Sequence, residues 1–349
     1  MVMAPRNRPD AENAQDASAD GLRVRGESQR LAAAVQDFLL DPAQRLTEQE
    51  RALMNAMLHG LVERLADEIR VRLPAQLSPQ SECDPAELVL ELGRGGLLAK
   101  PALIALLLRR ADLLRLGQAA LGTRARDGSS LLQGWVGDEA PDVAAAAMAV
   151  ALSRGAARDR FGRPGLELAD CPAEIAVELA YDVAAALARR CGGRDEELVA
   201  AAVDLLARHD EGQRLDALEA RLVRALQEAK RLDPTTLLAM AGAGEVGLLC
   251  EALARLAGIP GESGWTLFVD GRDGRLALLL RMAEQPRAMA AALLARLAAP
   301  LGLGDPVAEL DWFDRIGEAE ARAARNRLRL PPAYQQAAAA LEGHARGRA

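Results

Sequence analysis

A chain of 349 residues, half of them hydrophobic, is long enough to bury a sizeable core, and an aromatic content of only 3% leaves little for strands to use. Its formal net charge is −7, and its arginines are interleaved with Asp and Glu, which excludes the basic face that a nucleic-acid partner needs. Ala and Leu dominate, so the expected class is all-α, built as stacked helical hairpins in a HEAT-like solenoid.

Residues 1–29 are polar and lack a periodic apolar face, so they read as a disordered tail. A helix is expected from Arg30 to Leu40, stopping before Asp41-Pro42. Thr47 and Glu50 have capping-box spacing and open the longest uninterrupted helix of the chain, reaching about Leu73. On it Leu53, Met57, Leu61 and Leu65 fall four apart in one stripe. So broad an apolar face needs a partner, either the following repeats or a second copy of the chain, and self-association through this helix is the favoured expectation. Residues 30–75 are therefore read as N-terminal, dimerising helices that end in a linker at Pro74 and Pro79.

Residues 76–232 read as the helical repeats. Ala86 to Leu92 and Leu103 to Leu116 form an expected hairpin, with Pro101 suited to a first helical turn. Leu131 to Trp135 and Val143 to Leu152 form the next. Asp138-Glu-Ala-Pro141 is echoed by Asp170-Cys-Pro172, a shift of 31 residues between the prolines that suits stacked helical pairs. After the echo, Ile175, Leu179, Val183 and Leu187 lie on one face. Two further helices place Val199, Ala202, Val203 and Leu206 inward, then Leu215, Leu218, Leu222 and Leu226. Asp233-Pro234 closes the block.

Residues 233–330 form a C-terminal helical module, and 331–349 a flexible tail. Val246, Leu249, Leu253 and Leu256 share a helix that stops at Gly258-Ile-Pro260, where glycine takes the left-handed cap and proline cannot continue. Leu276 to Met282 and Ala288 to Leu297 are further helices.

Gly242, Gly244 and Gly247 spell GxGxxG, and Trp265 to Asp270 could pass for a strand ending in a ribose-binding acid. Such glycines let a backbone approach a pyrophosphate at a helix N-terminus, and Asp270 would accept from the ribose hydroxyls. The parallel βαβ context is missing, so a helix–helix turn in which glycine permits tight packing is the preferred reading, with nucleotide binding the alternative. His59 is a second alternative, as a phospho-acceptor on a helix, since imidazole is nucleophilic near neutral pH.

Cys83, Cys171, Cys191 and Cys250 are widely spaced, with no metal-ligand offsets, and read as buried thiols. No nucleophile elbow or metal site is found, so no catalytic residue is assigned, and no cofactor is expected under the preferred reading of the glycines. Carboxylate pairs such as Glu174 with Glu178, and the arginines from Arg322 to Arg329, read as solvated faces. With no apolar leader region and no membrane-length apolar run, the chain is expected in the cytoplasm, with no membrane insertion.

The run from Leu46 to Leu65, the Asp-Pro-type units after it, and Leu256-Ala-Gly-Ile-Pro260 with Asp270-Gly271 resemble an uncharacterised alphaproteobacterial family carried as a domain of unknown function. The resemblance covers most of Leu46 to Leu297 and implies that Trp265 to Val269 is helical. It brings no activity or ligand. The expected function is a non-catalytic protein-protein interaction or scaffold module, in bacterial signalling or envelope regulation, that also self-associates.

Overall fold

The computed structural model describes residues 46–73, 85–121, 131–158, 163–191 and 194–331, together with 334, 335, 337, 338 and 341. The expected tail over 1–29, the helix from Arg30 to Leu40, the linker at Pro74 and Pro79, and most of 331–349 lie outside them. The described chain is all-α, with fifteen α-helices and no strand.

Helix α1 spans Glu48–Val71. Its start is the expected capping box: the Thr47 amide donates to Glu50 Oε2 at 2.7 Å, and the Glu50 amide donates to Thr47 Oγ1 at 3.2 Å. Further along, Met57, Leu61 and Leu65 are at most 1% exposed and Leu53 is half-buried. The stripe expected to join two copies is therefore covered by the chain itself. Arg64 holds it there, donating to the Leu166 carbonyl at 3.0 Å, while Arg72 pairs with Asp204 at 3.3 Å. Periodicity identified a face that must be buried, and Arg64 ties its helix to a carbonyl about a hundred positions away.

Helices α2 (Pro85–Arg94) and α3 (Pro101–Leu121) follow, then α4 (Leu131–Val136) and α5 (Pro141–Ala156). The next pair is α6 (Ala173–Cys191) and α7 (Asp195–Leu206), and α8 covers Leu215–Glu228. The proline echo marks two helix starts, Pro141 at the first turn of α5 and Pro172 just before α6. The expected hairpin α4–α5 packs as a neighbouring pair, and α6 packs on α7, a pairing that the sequence pattern did not single out. The expected α2–α3 hairpin does not describe the packing: α2 lies on α6, and α3 lies on helices near the C-terminus. A helix as apolar as α3 buries Leu103, Leu107, Ala111 and Leu116 among several neighbours, which one hairpin partner cannot supply.

In α7 the inward face is Leu198, Ala201, Ala202 and Leu205, whereas Val199 and Val203 are 45% and 49% exposed. The register differs from the expected one by one position, because apolar residues surround this helix and periodicity alone admits two faces.

The C-terminal helices are α9 (Pro234–Gly242), α10 (Val246–Ala257), α11 (Gly261–Val269), α12 (Arg275–Met282), α13 (Arg287–Leu301), α14 (Pro306–Arg315) and α15 (Glu318–Leu328). Asp233-Pro234 opens α9 instead of closing a block, with the Asp233 carboxylate accepting from the Thr236 amide at 2.8 Å. Asp305-Pro306 opens α14 in the same way, through the Val307 amide at 2.8 Å. Gly258, at φ 67°, caps α10 as expected, and the Ile259 amide donates to the Ala254 carbonyl at 3.0 Å. Helix α3 packs on α9, α10 and α13, so one apolar core runs from Leu116 through α4, α5 and α8 to Ala321 in α15.

Candidate functional site

The GxGxxG glycines straddle the α9–α10 turn, with Gly242 closing α9, Gly244 in the turn and Gly247 in the first turn of α10. Gly244 has φ +70°, and a β-carbon there would fall 2.6 Å from the Gly117 carbonyl of α3. Glycine is needed at this point for a left-handed turn against a neighbouring helix. The turn amides already have partners, Ala243 on the Ala239 carbonyl at 2.8 Å and Glu245 on the Met240 carbonyl at 2.9 Å. Gly242 faces Arg296, and Gly247 faces the Glu219 carboxylate.

Trp265 to Val269, which could have passed for a strand, is part of α11. Proline at the N-cap starts the helix, and Gly264 lets it settle on α10: a β-carbon there would sit 2.5 Å from Ala254 Cβ. Asp270 pairs with Arg275 at 2.5 Å on the surface. Gly242, Gly244, Gly247 and Asp270 thus sit at helix ends and in helix–helix turns, in a region without strands.

His59 is exposed on α1. His209 places Nε2 3.0 Å from the Cys171 carbonyl and so joins the end of α7 to the start of α6. Both described thiols are buried. Burial, followed by the nearby Asp170 charge, pushes the Cys171 thiol up to about 12, and burial pushes Cys250 up as well, so neither is a ready thiolate. The side chains of Cys83 and Cys191, and His344, lie outside the described residues.

A charge cluster invisible to local pattern gathers around Arg154 at the end of α5. Arg154 reaches Glu219 of α8 at 2.8 Å and Glu245 of the α9–α10 turn at 2.6 Å. Both carboxylates are buried. The guanidinium binds them as a clamp, and their charges hold it protonated despite its own burial. Nearby Glu251 has its carboxyl raised above the ordinary range, first by burial and then by Glu219. Arg109, whose charge acts on Glu251 in the opposite sense, stacks 5.2 Å from the Trp265 ring centroid. Nothing in the local pattern sets these acids and arginines apart from the other charges on α3, α5, α8 and α10, and their convergence is tertiary.

Two of the arginines expected on a solvated face also have structural partners. Arg325 donates to the Met282 carbonyl at 2.5 Å and Arg329 to the Gly258 carbonyl at 2.6 Å. They cap the C-terminal ends of α12 and α10.

An outward apolar feature lies on the α6–α7 hairpin: Val177 and Tyr181 of α6, one turn apart, are 42% and 39% exposed, and Val199 and Val203 of the packed helix α7 are exposed as well. The three-residue connection and the His209–Cys171 contact make the two helices antiparallel.

A family described as an uncharacterised protein conserved in bacteria (DUF2336) matches residues 124–338. The chain belongs to this family. The DUF2336 match includes α4 to α15 and omits α1 to α3, so it begins later and ends later than the resemblance over Leu46 to Leu297 implied. It includes the Gly258-Ile-Pro260 turn and the α15 arginine that caps it. No curated protein and no solved structure matches the chain. No helix among the described residues is long and apolar enough to cross a membrane.

Proposed function

We propose that this DUF2336 chain is a non-catalytic protein-interaction module, a cytoplasmic scaffold whose working surface is the α6–α7 hairpin. The observation that carries this reading is the pair of apolar couples left in solvent, Val177 with Tyr181 and Val199 with Val203, on two helices that pack together. Each helix has a separate buried face, so these residues are surplus to the core. Exposed apolar groups clustered on rigid elements mark protein contact surfaces, and Tyr is among the side chains enriched there.

The chemistry of the interior fits the same reading. Arg154 is occupied by Glu219 and Glu245, and both described thiols are pushed away from nucleophilic form. The test is affinity capture from the native bacterium with the wild-type chain and with Val177→Glu/Val203→Glu. A protein retained by the first and lost by the second is expected. Identical sets from both would remove the hairpin from the function.

A further inference from the structure

The exposed stripe of α6 has an order along the helix. Glu174 stands at its start, Val177, Tyr181 and Ala185 in the middle, and Arg189 at its end, all of them exposed. Glu174 lies seven residues before Tyr181 and Arg189 eight after it. Glu178 is also exposed on this face, where Lys100 binds it at 2.9 Å; the rest of the stripe is acid, apolar and base, nearly symmetric about the tyrosine. Arg189 pairs with Glu91 at 2.9 Å, yet its side chain stays 81% exposed and open to a second carboxylate.

A helix face of this kind is complementary to itself when reversed. Two copies laid antiparallel put each Glu174 opposite the other's Arg189 and bring the two Tyr181 rings together at the centre. Residue i on one copy meets residue j on the other, and j meets i, the condition for a closed two-fold contact. The distance from Glu174 to Arg189 is about 22 Å at 1.5 Å per residue, a run of about four turns.

We infer that α6 pairs antiparallel about Tyr181 with α6 of a second copy of this chain. The inference rests on the α6–α7 hairpin being an interaction surface and names its occupant. It also moves self-association from α1, whose apolar stripe is internally covered, to a face that is free. One helix face with its α7 flank is a small interface, so a dissociation constant on the order of 10 μM is expected.

Sedimentation equilibrium of the full chain, from about 1 to about 200 μM, brackets that value. The wild type is expected to shift from monomer to dimer. Tyr181→Glu buries two charges at the centre and should weaken pairing at least about 30-fold. Glu174→Arg places like charges opposite each other at both ends and should weaken it about tenfold. The exchanged variant Glu174→Arg/Arg189→Glu restores opposite charges and should return to within about threefold of wild type, a rescue that general damage to the fold cannot produce. Circular dichroism confirms that each variant is folded.

A wild-type chain that stays monomeric throughout overturns the inference, as does a dimer unaffected by Tyr181→Glu or a charge exchange that fails to rescue. Failure here is separable from failure of the interaction reading. A monomer whose Tyr181→Glu variant loses a captured heterologous protein overturns the second-copy inference alone. A monomer whose variant captures the same proteins as wild type overturns both.

Discussion

Helices α1 and α6 carry similar apolar stripes and end in opposite situations. In α1 the stripe of Met57, Leu61 and Leu65 is at most 1% exposed, covered within the chain itself. In α6 one stripe, Ile175, Leu179, Val183 and Leu187, is buried, while a second with Val177 and Tyr181 remains in solvent. A broad apolar face shows that burial is required somewhere. A second, narrower face on a helix whose first face is already buried is the better sign of an outside partner.

Substitution separates the two cases. Leu61→Ala is expected to destabilise the fold by about 3 kcal/mol, because a side chain only 1% exposed leaves a cavity. Tyr181→Glu, at a site 39% exposed, should change monomer stability by less than about 0.5 kcal/mol. Urea unfolding of both at low protein concentration measures the contrast, and equal losses would erase it.

The clamp at Arg154 extends the comparison from apolar to charged burial. Arg154→Met leaves Glu219 and Glu245 buried without their cation and should cost about 3 kcal/mol at neutral pH. The loss should shrink on acidification as the orphaned carboxylates take up protons, and thermal melts across pH follow it. A pH-independent loss would mean that Arg154 acts mainly by packing.

At the surface, Asp233→Ala removes the side chain that accepts from the Thr236 amide at the start of α9 and should cost about 1 kcal/mol. Asp233→Asn should recover most of it, as judged by denaturant midpoints, since an amide oxygen can still accept.

The smallest expected effect is that of Glu251. Burial raises its folded-state carboxyl above the unfolded value, so the folded chain binds that proton more tightly. Its contribution to stability is fullest below the ordinary carboxylate pKa and is lost as pH rises through the raised folded value. In Glu251→Gln that decline should be missing from the stability-against-pH profile measured by urea unfolding. A variant profile of unchanged slope would show that Glu251 is solvated.

The same comparison shows how much of the fold was legible in the sequence. The capping box at Thr47, the proline starts at Pro141 and Pro172, the inward faces of α6 and α8, and the Gly258 cap are local, and they stand in the structure as expected. The one-position shift in α7 arose where apolar residues occupy every side of a helix. Helices α14 and α15 were hidden for the opposite reason, since their charged sequences lack a broad apolar face, although Asp305-Pro306 repeats the cap of α9. The Arg154 cluster and the Arg64 bond that ties down α1 join residues more than sixty positions apart, a distance at which periodicity carries no information.

The central claim is that the α6–α7 hairpin, and not the glycine turn at Gly242 to Gly247, is where this chain meets its partner. Amide hydrogen exchange of the full chain, alone and saturated with the captured protein or with itself at high concentration, tests it most directly. Protection is expected over residues 174–203, with 242–247 unchanged. Protection confined to 242–270, with α6 and α7 exchanging as in the free chain, would contradict it.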